Sequence, residues 1–250
     1  MKRKAARISP SRALLDDLAA ASRILAMHEV LDAYGHVSAR SDRRPEHFLI
    51  SRSLAPALVT PADLMECGPD SEALPGDKRK GFIERYIHGE IYRARPEVMA
   101  IVHSHSPSVI PFGVTRTKLR PIYHMGSFLW SGAPVFDIRK AREANDLLIR
   151  DRSLGESLAS SLGGCTCVLM RGHGMTVVGD GVPEAVFRAI YTEMNARLQL
   201  GASALEGPIE FLSDEEGRRS TAANRGTLER PWELWKKRAL SPDKQEIGTE

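Results

Sequence analysis

The apolar run Val98-Met99-Ala100-Ile101-Val102 ends in His103-Ser104-His105. A short apolar run of this kind reads as a buried strand, and Pro96 closes the helical stretch before it. A strand sends residues i and i+2 to one face, so two imidazoles stand side by side at the strand's end. That spacing suits a pair of metal ligands. Taken alone, the pair also fits one buried and one surface imidazole. Two further residues favour the metal reading: Glu84 in the upstream helical stretch and His173 in the turn Arg171-Gly172-His173-Gly174.

The rest of the chain reads as mixed α/β with mostly short strands. Leu14, Leu15, Leu18, Ile24, Leu25, Val30 and Leu31 recur at helical spacing over 11–33, and Gly35 stops that helix. Residues 37–40 and 48–51 read as a hairpin, 57–78 as turns, and 80–94 as a helix. Residues 121–124 and 135–136 read as strands. Asp137 is placed to cap a helix over 138–151, and a second helix is expected over 155–162. Residues 165–170 and 175–178 read as strands joined by the His173 turn, and 183–205 as a long helix. The charged stretch 213–250 carries Trp232 and Trp235. The expected organisation is therefore a catalytic domain over 1–212 and a C-terminal tail over 213–250. The tail has three open roles: packing over the site, anchoring a neighbouring subunit, or a mobile end.

With 250 residues and 42% apolar content, the chain can bury one full core. No apolar run approaches 18 residues, and the basic Met1-Lys2-Arg3-Lys4 is not followed by an apolar signal core. Three cysteines leave at least one unpaired, which fits a reducing compartment, so a cytoplasmic location is expected. A net charge of +3, without a basic block interleaved with aromatics, argues against nucleic acid as a partner. Cys165-Thr166-Cys167 has the wrong spacing for a zinc knuckle and reads as core.

Three histidine ligands with open positions describe a catalytic metal site, whereas structural zinc sites are closed and cysteine-rich. His103, His105 and His173 are the candidate ligands of a divalent ion: Zn, Mn, Fe or Co. A histidine between glycines in a turn approaches an ion without crowding. Glu84 and His88 share a helix face at i, i+4. His88 reads as structural.

These residues resemble the class II aldolase/adducin family. Its pattern has a Gly-Asn-x-Ser-x-Arg element, an acidic residue about 19 positions before His-x-His-x-Pro, and a later His-Gly turn. Here these are Gly35-His36-Val37-Ser38-Ala39-Arg40, Glu84, His103-Ser104-His105-Ser106-Pro107 and His173-Gly174, with 19 positions between Glu84 and His103. The resemblance covers about residues 12–205. It implies a three-layer αβα fold around a mostly antiparallel, nine-stranded sheet. It also implies one divalent ion per subunit on His103, His105 and His173, with Glu84 as acid/base residue. The assembly it implies is a homotetramer with sites between subunits. Sugar-phosphate members place a catalytic tyrosine from a neighbouring subunit near the positions of Tyr123 and His124, so these two are catalytic candidates. A histidine that merely ends a strand is an equal reading of His124.

The departures from the pattern bear on the substrate. The Asn is His36; the phosphate turn is replaced by Ile50-Ser51-Arg52-Ser53-Leu54; Phe82 and Ile83 precede Glu84 where the family has small hydroxyl residues. A buried phosphate dianion needs several donors. The losses therefore argue against a sugar phosphate, although Arg52 offers a different anion site. His36, Ser38, Arg40, Ser51, Arg52 and Phe82 are the candidate substrate-binding residues. Phe82, Ile83 and Phe112 either face a substrate ring or belong to the core. The stretches Gly35–Arg40, Phe82–Arg95, His103–Phe112 and Tyr123-His124-Met125 resemble the branch of the family that decarboxylates hydroxy-methylpyridine-dicarboxylate and dihydroxyphthalate.

The expected activity is thus a metal-dependent carbon–carbon lyase, a carboxy-lyase acting on a hydroxylated aromatic or heteroaromatic acid. Its rivals are a class II aldolase or dehydratase acting on a small hydroxy-carbonyl compound, and a non-catalytic adducin-like scaffold. In the decarboxylase, an ion holds the phenolic oxygen and the ortho carboxylate, and an acid protonates the ring carbon. Glu84 is that acid if an apolar pocket raises its pKa. The sequence leaves its role as acid or base open.

Overall fold

The computed structural model describes residues 9–241. The basic N-terminal segment and residues 242–250 of the expected tail lie outside that range. Seven strands form one sheet: β1 His36–Arg40, β2 Phe48–Ser51, β3 Leu64–Cys67, β4 Ala100–Ser104, β5 Val135–Phe136, β6 Cys167–Met170 and β7 Gly174–Gly179. Their order is β3-β2-β1-β4-β7-β6-β5. Every neighbouring pair is antiparallel except β5 with β6.

The α/β class and the antiparallel character are as expected, but the described residues hold seven strands, not nine. Residues 121–124 are not a strand. The Ile122 N–H donates to the Asn195 side chain, and the neighbouring Arg120 N–H donates to Gln199, so neither enters a ladder. Leu64–Cys67, read as turn, pairs along β2 instead.

The helices are α1 Arg12–Met27, α2 Arg85–Ala94, α3 Ile110–Val114, α4 Arg152–Leu162, α5 Val182–Ser203, α6 Asp214–Arg225 and α7 Glu229–Leu240. Ser11 caps α1 by accepting the Leu14 N–H, and the buried face Leu18, Ala21, Leu25 has helical spacing. Strand alternation splits the apolar residues into two cores. Val37, Ala39, Ala100, Val102, Met175 and Val177 face α1 and α5. Ile101, Val168 and Val178 face α2 and α4. The result is three layers, αβα.

The same alternation gives β1 an unusual polar face. His36, Ser38 and Arg40 are all buried. They share the parity opposite to Val37 and Ala39, and so lie on the α2 side.

The helix expected over 138–151 shortens to one 3-10 turn, Ile138–Lys140, with Asp137 accepting the Arg139 N–H. Leu147 adopts a left-handed φ of 69°, which an α-helix does not accommodate. The backbone here turns its polar groups towards the histidines, as described below.

The C-terminal stretch packs on the domain body. α6 lies against the 3-10 helix His124–Ser131, and α7 lies against α1. Trp232 and Trp235 are buried in the α1/α5 core. The Trp235 ring meets His28 edge-on, with centroids 5.2 Å apart. Among the described residues, no helix is long and apolar enough to cross a membrane.

Candidate metal centre

His103 is the penultimate residue of β4, and His105 follows just past the strand's end. His173 sits in the tight turn between β6 and β7. Two glycines let these segments close up. A Cβ on Gly174 would stand 2.0 Å from the Ser104 carbonyl oxygen. A Cβ on Gly35, whose φ is +80°, would stand 2.9 Å from the His103 carbonyl. Glu84 stands at the N-cap position of α2, with φ −89° and ψ 20°, and its side chain makes no cap hydrogen bond. It enters the cluster across the α2 face of the sheet.

The four side chains converge. One ligand atom from each of Glu84, His103, His105 and His173 lies within 4.8 Å of the others. His173 Nε2 is 3.1 Å from His105 Nε2 and 3.4 Å from Glu84 Oε2. His103 Nε2 is 3.6 Å from the same carboxylate oxygen. Metal–nitrogen bonds of about 2.0–2.1 Å at a tetrahedral angle separate ligand nitrogens by about 3.3 Å.

Hydrogen bonding on the far side of each ring supports this reading. His103 Nδ1 donates to the Met175 carbonyl at 3.1 Å, and His173 Nδ1 donates to the Leu147 carbonyl at 2.9 Å. Both rings therefore turn Nε2 inward, the usual orientation of a metal-bound histidine; His103 presents a lone pair there, and His173 does so once it gives up the proton it shares with Glu84. His103 Nε2 is buried without a hydrogen-bond partner. A buried orphan acceptor is costly unless something binds it. The donor set fits a divalent transition ion.

Glu84 Oε1 accepts the Ile149 N–H at 2.9 Å. Burial opposes its charge. The hydrogen bond from His173, the positive influence of His103 and His173, and the Ile149 N–H outweigh that and hold the carboxyl at about 2. The raised pKa expected of an apolar pocket is thus reversed, because the histidines and a backbone donor stabilise the carboxylate. Burial lowers the pKa of His103 and His105, whereas Glu84 raises that of His173 against the effect of burial.

Beside the cluster is a cavity of about 370 Å³. His36, Phe82, Glu84 and His105 line it, with Tyr34, Lys80, Ile83 and Leu148. Residues 16–200 match the Class II Aldolase and Adducin N-terminal domain. The chain belongs to this family. It is 41% identical over 239 residues to Decarboxylase tropJ of Talaromyces stipitatus, covering 85% of this chain and 88% of that one. It is 33% identical over 208 residues to a 3,4-dihydroxyphthalate decarboxylase of a Terrabacter species, covering 80% and 85%. A crystal structure of an aldolase II superfamily protein from Pseudomonas syringae superposes with a TM-score of 0.76 at 24% identity, over 93% of this chain and 94% of that one. At that identity the likeness speaks for the fold alone.

Within this class II aldolase fold the sequence-derived candidates separate. His36 and Phe82 meet at the cavity, with ring centroids 4.5 Å apart. The Ser38 hydroxyl is occupied by His88 and Tyr92. The Arg40 guanidinium donates to the carbonyls of Val98, Pro45, Tyr92 and Arg95, away from the histidine cluster. Arg52 pairs with Asp63 at 2.8 Å, and Ser51 is buried in β2. Phe112 belongs to the core. Tyr123 packs against Tyr191, and His124 is exposed. Neither lines the cavity of its own chain.

Tyr34, Lys80 and Leu148 are cavity residues that sequence reasoning missed. They come from loops without a motif. Leu147 and Ile149 serve the site through backbone atoms, for which no side-chain signal exists.

Proposed function

We propose that the protein is a metal-dependent carboxy-lyase acting on a hydroxylated aromatic or heteroaromatic carboxylic acid. The observation that carries the reading is the convergence of three imidazole Nε2 atoms and Glu84 Oε2 beside a cavity that Glu84 and His105 line together with Phe82, Tyr34 and Leu148. Its volume is in the range of small-molecule sites. The decarboxylase relatives support the same chemistry.

His103, His105 and His173 would hold the ion, which when bound supplies Lewis acidity towards a phenolic oxygen and its ortho carboxylate. The chain's own residues do the rest. Phe82 offers a face to the substrate ring, and His36 and Lys80 supply polar contacts at the cavity wall. Glu84 Oε2 starts as a carboxylate and accepts the proton of the ortho hydroxyl. It then gives that proton to the ring carbon bearing the carboxylate. The C–CO₂ bond breaks, its electron pair restores the aromatic ring, and CO₂ leaves. The phenolate regains a proton from solvent, so one proton is consumed per CO₂ released. Glu84 is thus base and then acid, which suits a group anchored in its ionised form by the Ile149 N–H.

The reading includes a homotetramer in a cytoplasmic setting. In it, Tyr123 and His124 serve the cavity of a neighbouring subunit, in keeping with the exposure of His124 outside its own cavity.

The test is CO₂ release from a panel of ortho-hydroxy aromatic acids, 3,4-dihydroxyphthalate among them, with Mn²⁺, Zn²⁺, Fe²⁺ or Co²⁺ supplied. Turnover is expected for at least one acid, and Glu84→Gln should abolish it. Cleavage of a sugar phosphate with no turnover of any aromatic acid would overturn the reading.

A further inference from the structure

Behind the cavity wall runs an unbroken chain of four buried polar side chains. His36 Nδ1 is 2.6 Å from His88 Nε2; His88 Nδ1 is 2.6 Å from Ser38 Oγ; Ser38 Oγ is 2.8 Å from the Tyr92 hydroxyl. All four residues are buried, His88 and Ser38 completely. Phe48 stacks beside His88 at 6.3 Å and closes the chain from the β2 side. The 2.6 Å contact between His36 Nδ1 and His88 Nε2 holds a single proton, and complete burial drives the pKa of His88 to about 3, so the chain is made of neutral groups.

A neutral imidazole carries one ring proton, donating from one nitrogen and accepting at the other. The four groups can therefore be ordered in two directions only. In one, Tyr92 donates to Ser38, Ser38 to His88 Nδ1, and His88 Nε2–H to His36 Nδ1. The His36 proton is then on Nε2. In the other, His36 Nδ1–H donates inward and every link reverses. The Tyr92 hydroxyl then holds a proton with no acceptor among the described residues, because Ser38 is its one partner there. A buried donor without an acceptor is the costly member of such a chain. The first direction pairs every proton inside the chain and leaves only the His36 Nε2–H to find its acceptor, in the cavity that His36 lines.

We propose that Tyr92, Ser38 and His88 act as positioning residues that fix His36 in its Nε2–H tautomer, making His36 a dedicated hydrogen-bond donor for an anionic oxygen of the substrate. His36 lines the cavity, and its Nε2 has no partner among the described residues and is not sealed from the cavity as His103 Nε2 is. The proposal deepens the carboxy-lyase reading and rests on it for the ligand, a second carboxylate or a hydroxylate on the aromatic ring. It also gives Ser38 and His88 a role at a distance, through the orientation and tautomer of another ring. A ring nitrogen that only donates favours, at its own position, an anionic oxygen over a hydroxyl that must itself donate.

The decisive measurement is ¹⁵N NMR of the Zn²⁺-loaded full chain with labelled histidine. His36 should show a protonated Nε2 and a bare Nδ1. A protonated Nδ1 would overturn the proposal, with Tyr92 donating instead into a second cavity, of about 990 Å³, that it borders with Arg40 and Phe48. Ser38→Ala should then leave His36 as a mixture of tautomers and raise KM for the accepted aromatic acid by about 10-fold or more, with kcat less affected and bound zinc unchanged. Ser38→Thr, which keeps the hydroxyl, should restore both. A lowered melting temperature with unchanged tautomer and KM would mean that the chain is merely structural, and would also overturn the proposal. The tautomer is read without turnover, so a failed decarboxylation assay leaves this test standing on its own.

Discussion

His36 and His103 are partners on the same rung of the antiparallel ladder between β1 and β4. Their ring centroids are 5.1 Å apart. The candidate substrate donor and a candidate metal ligand are thus held at a separation set by strand pairing, which fluctuates less than a loop. Recognition and chemistry share one piece of backbone.

Removing a ligand should remove the ion. His103→Ala and His173→Ala are expected to lose stoichiometric metal and to lower kcat/KM at least about 100-fold, as measured by elemental analysis and CO₂ release. Full metal retention in both variants would refute the assigned centre.

The metal-free protein should show a characteristic acid response. Glu84 falls from 4.5 to about 2, so its contribution is present above about pH 4.5 and is lost as pH drops towards 2. His173 is raised above 6.5, so its contribution is present below 6.5 and is lost as pH rises through its folded value. The contribution of this pair should therefore be fullest between about pH 4.5 and 6.5, on a background that falls below pH 6.5 because the buried neutral His36, His88, His103 and His105 resist charging. The stability difference between the metal-free protein and its Glu84→Gln variant, read from melting curves, should be largest in that window, and a difference that does not vary with pH would dissociate the pair from stability.

Gly174→Ala should damage the centre from a distance. The new Cβ would meet the Ser104 carbonyl oxygen at 2.0 Å, and backbone cannot step aside as a flexible side chain does. A destabilisation of about 1–3 kcal/mol is expected, with weakened metal affinity, because the β4 and β7 ends carry the ligands. Urea titration and metal competition report the two effects separately.

Trp235→Ala should uncouple stability from the metal site. The side chain packs against His28 and Tyr191 on the α1/α5 face, across the sheet from the ligands. A loss of about 3–5 kcal/mol in denaturant unfolding is expected, with metal content retained. Loss of the ion from the folded variant would show that α7 supports the centre.

Much of this architecture was readable in advance because periodicity and spacing encode it. Strand alternation paired His103 with His105, and the resemblance to the family's pattern, with its 19 positions from Glu84 to His103, tied Glu84 and His173 to them. The failures have a common origin. Residues 138–151 look helical by side chain, yet the chain there supplies main-chain atoms to His173 and Glu84, groups that a helix would consume internally. β3 was hidden because four residues are too few for alternation to stand out among turns. Arg40 and Ser38 look alike as candidates, and only packing reveals that carbonyls hold one while a histidine and a tyrosine engage the other.

The Leu147–Ile149 segment has a consequence for how such proteins are altered. A carbonyl and an N–H are supplied by any residue type, proline aside at position 149, provided the chain follows the same path through its left-handed kink. Homologues are free to change letters there without losing the centre. A redesign that retains every histidine but shortens this loop by one residue would leave the ligand set intact on paper and unsupported in space.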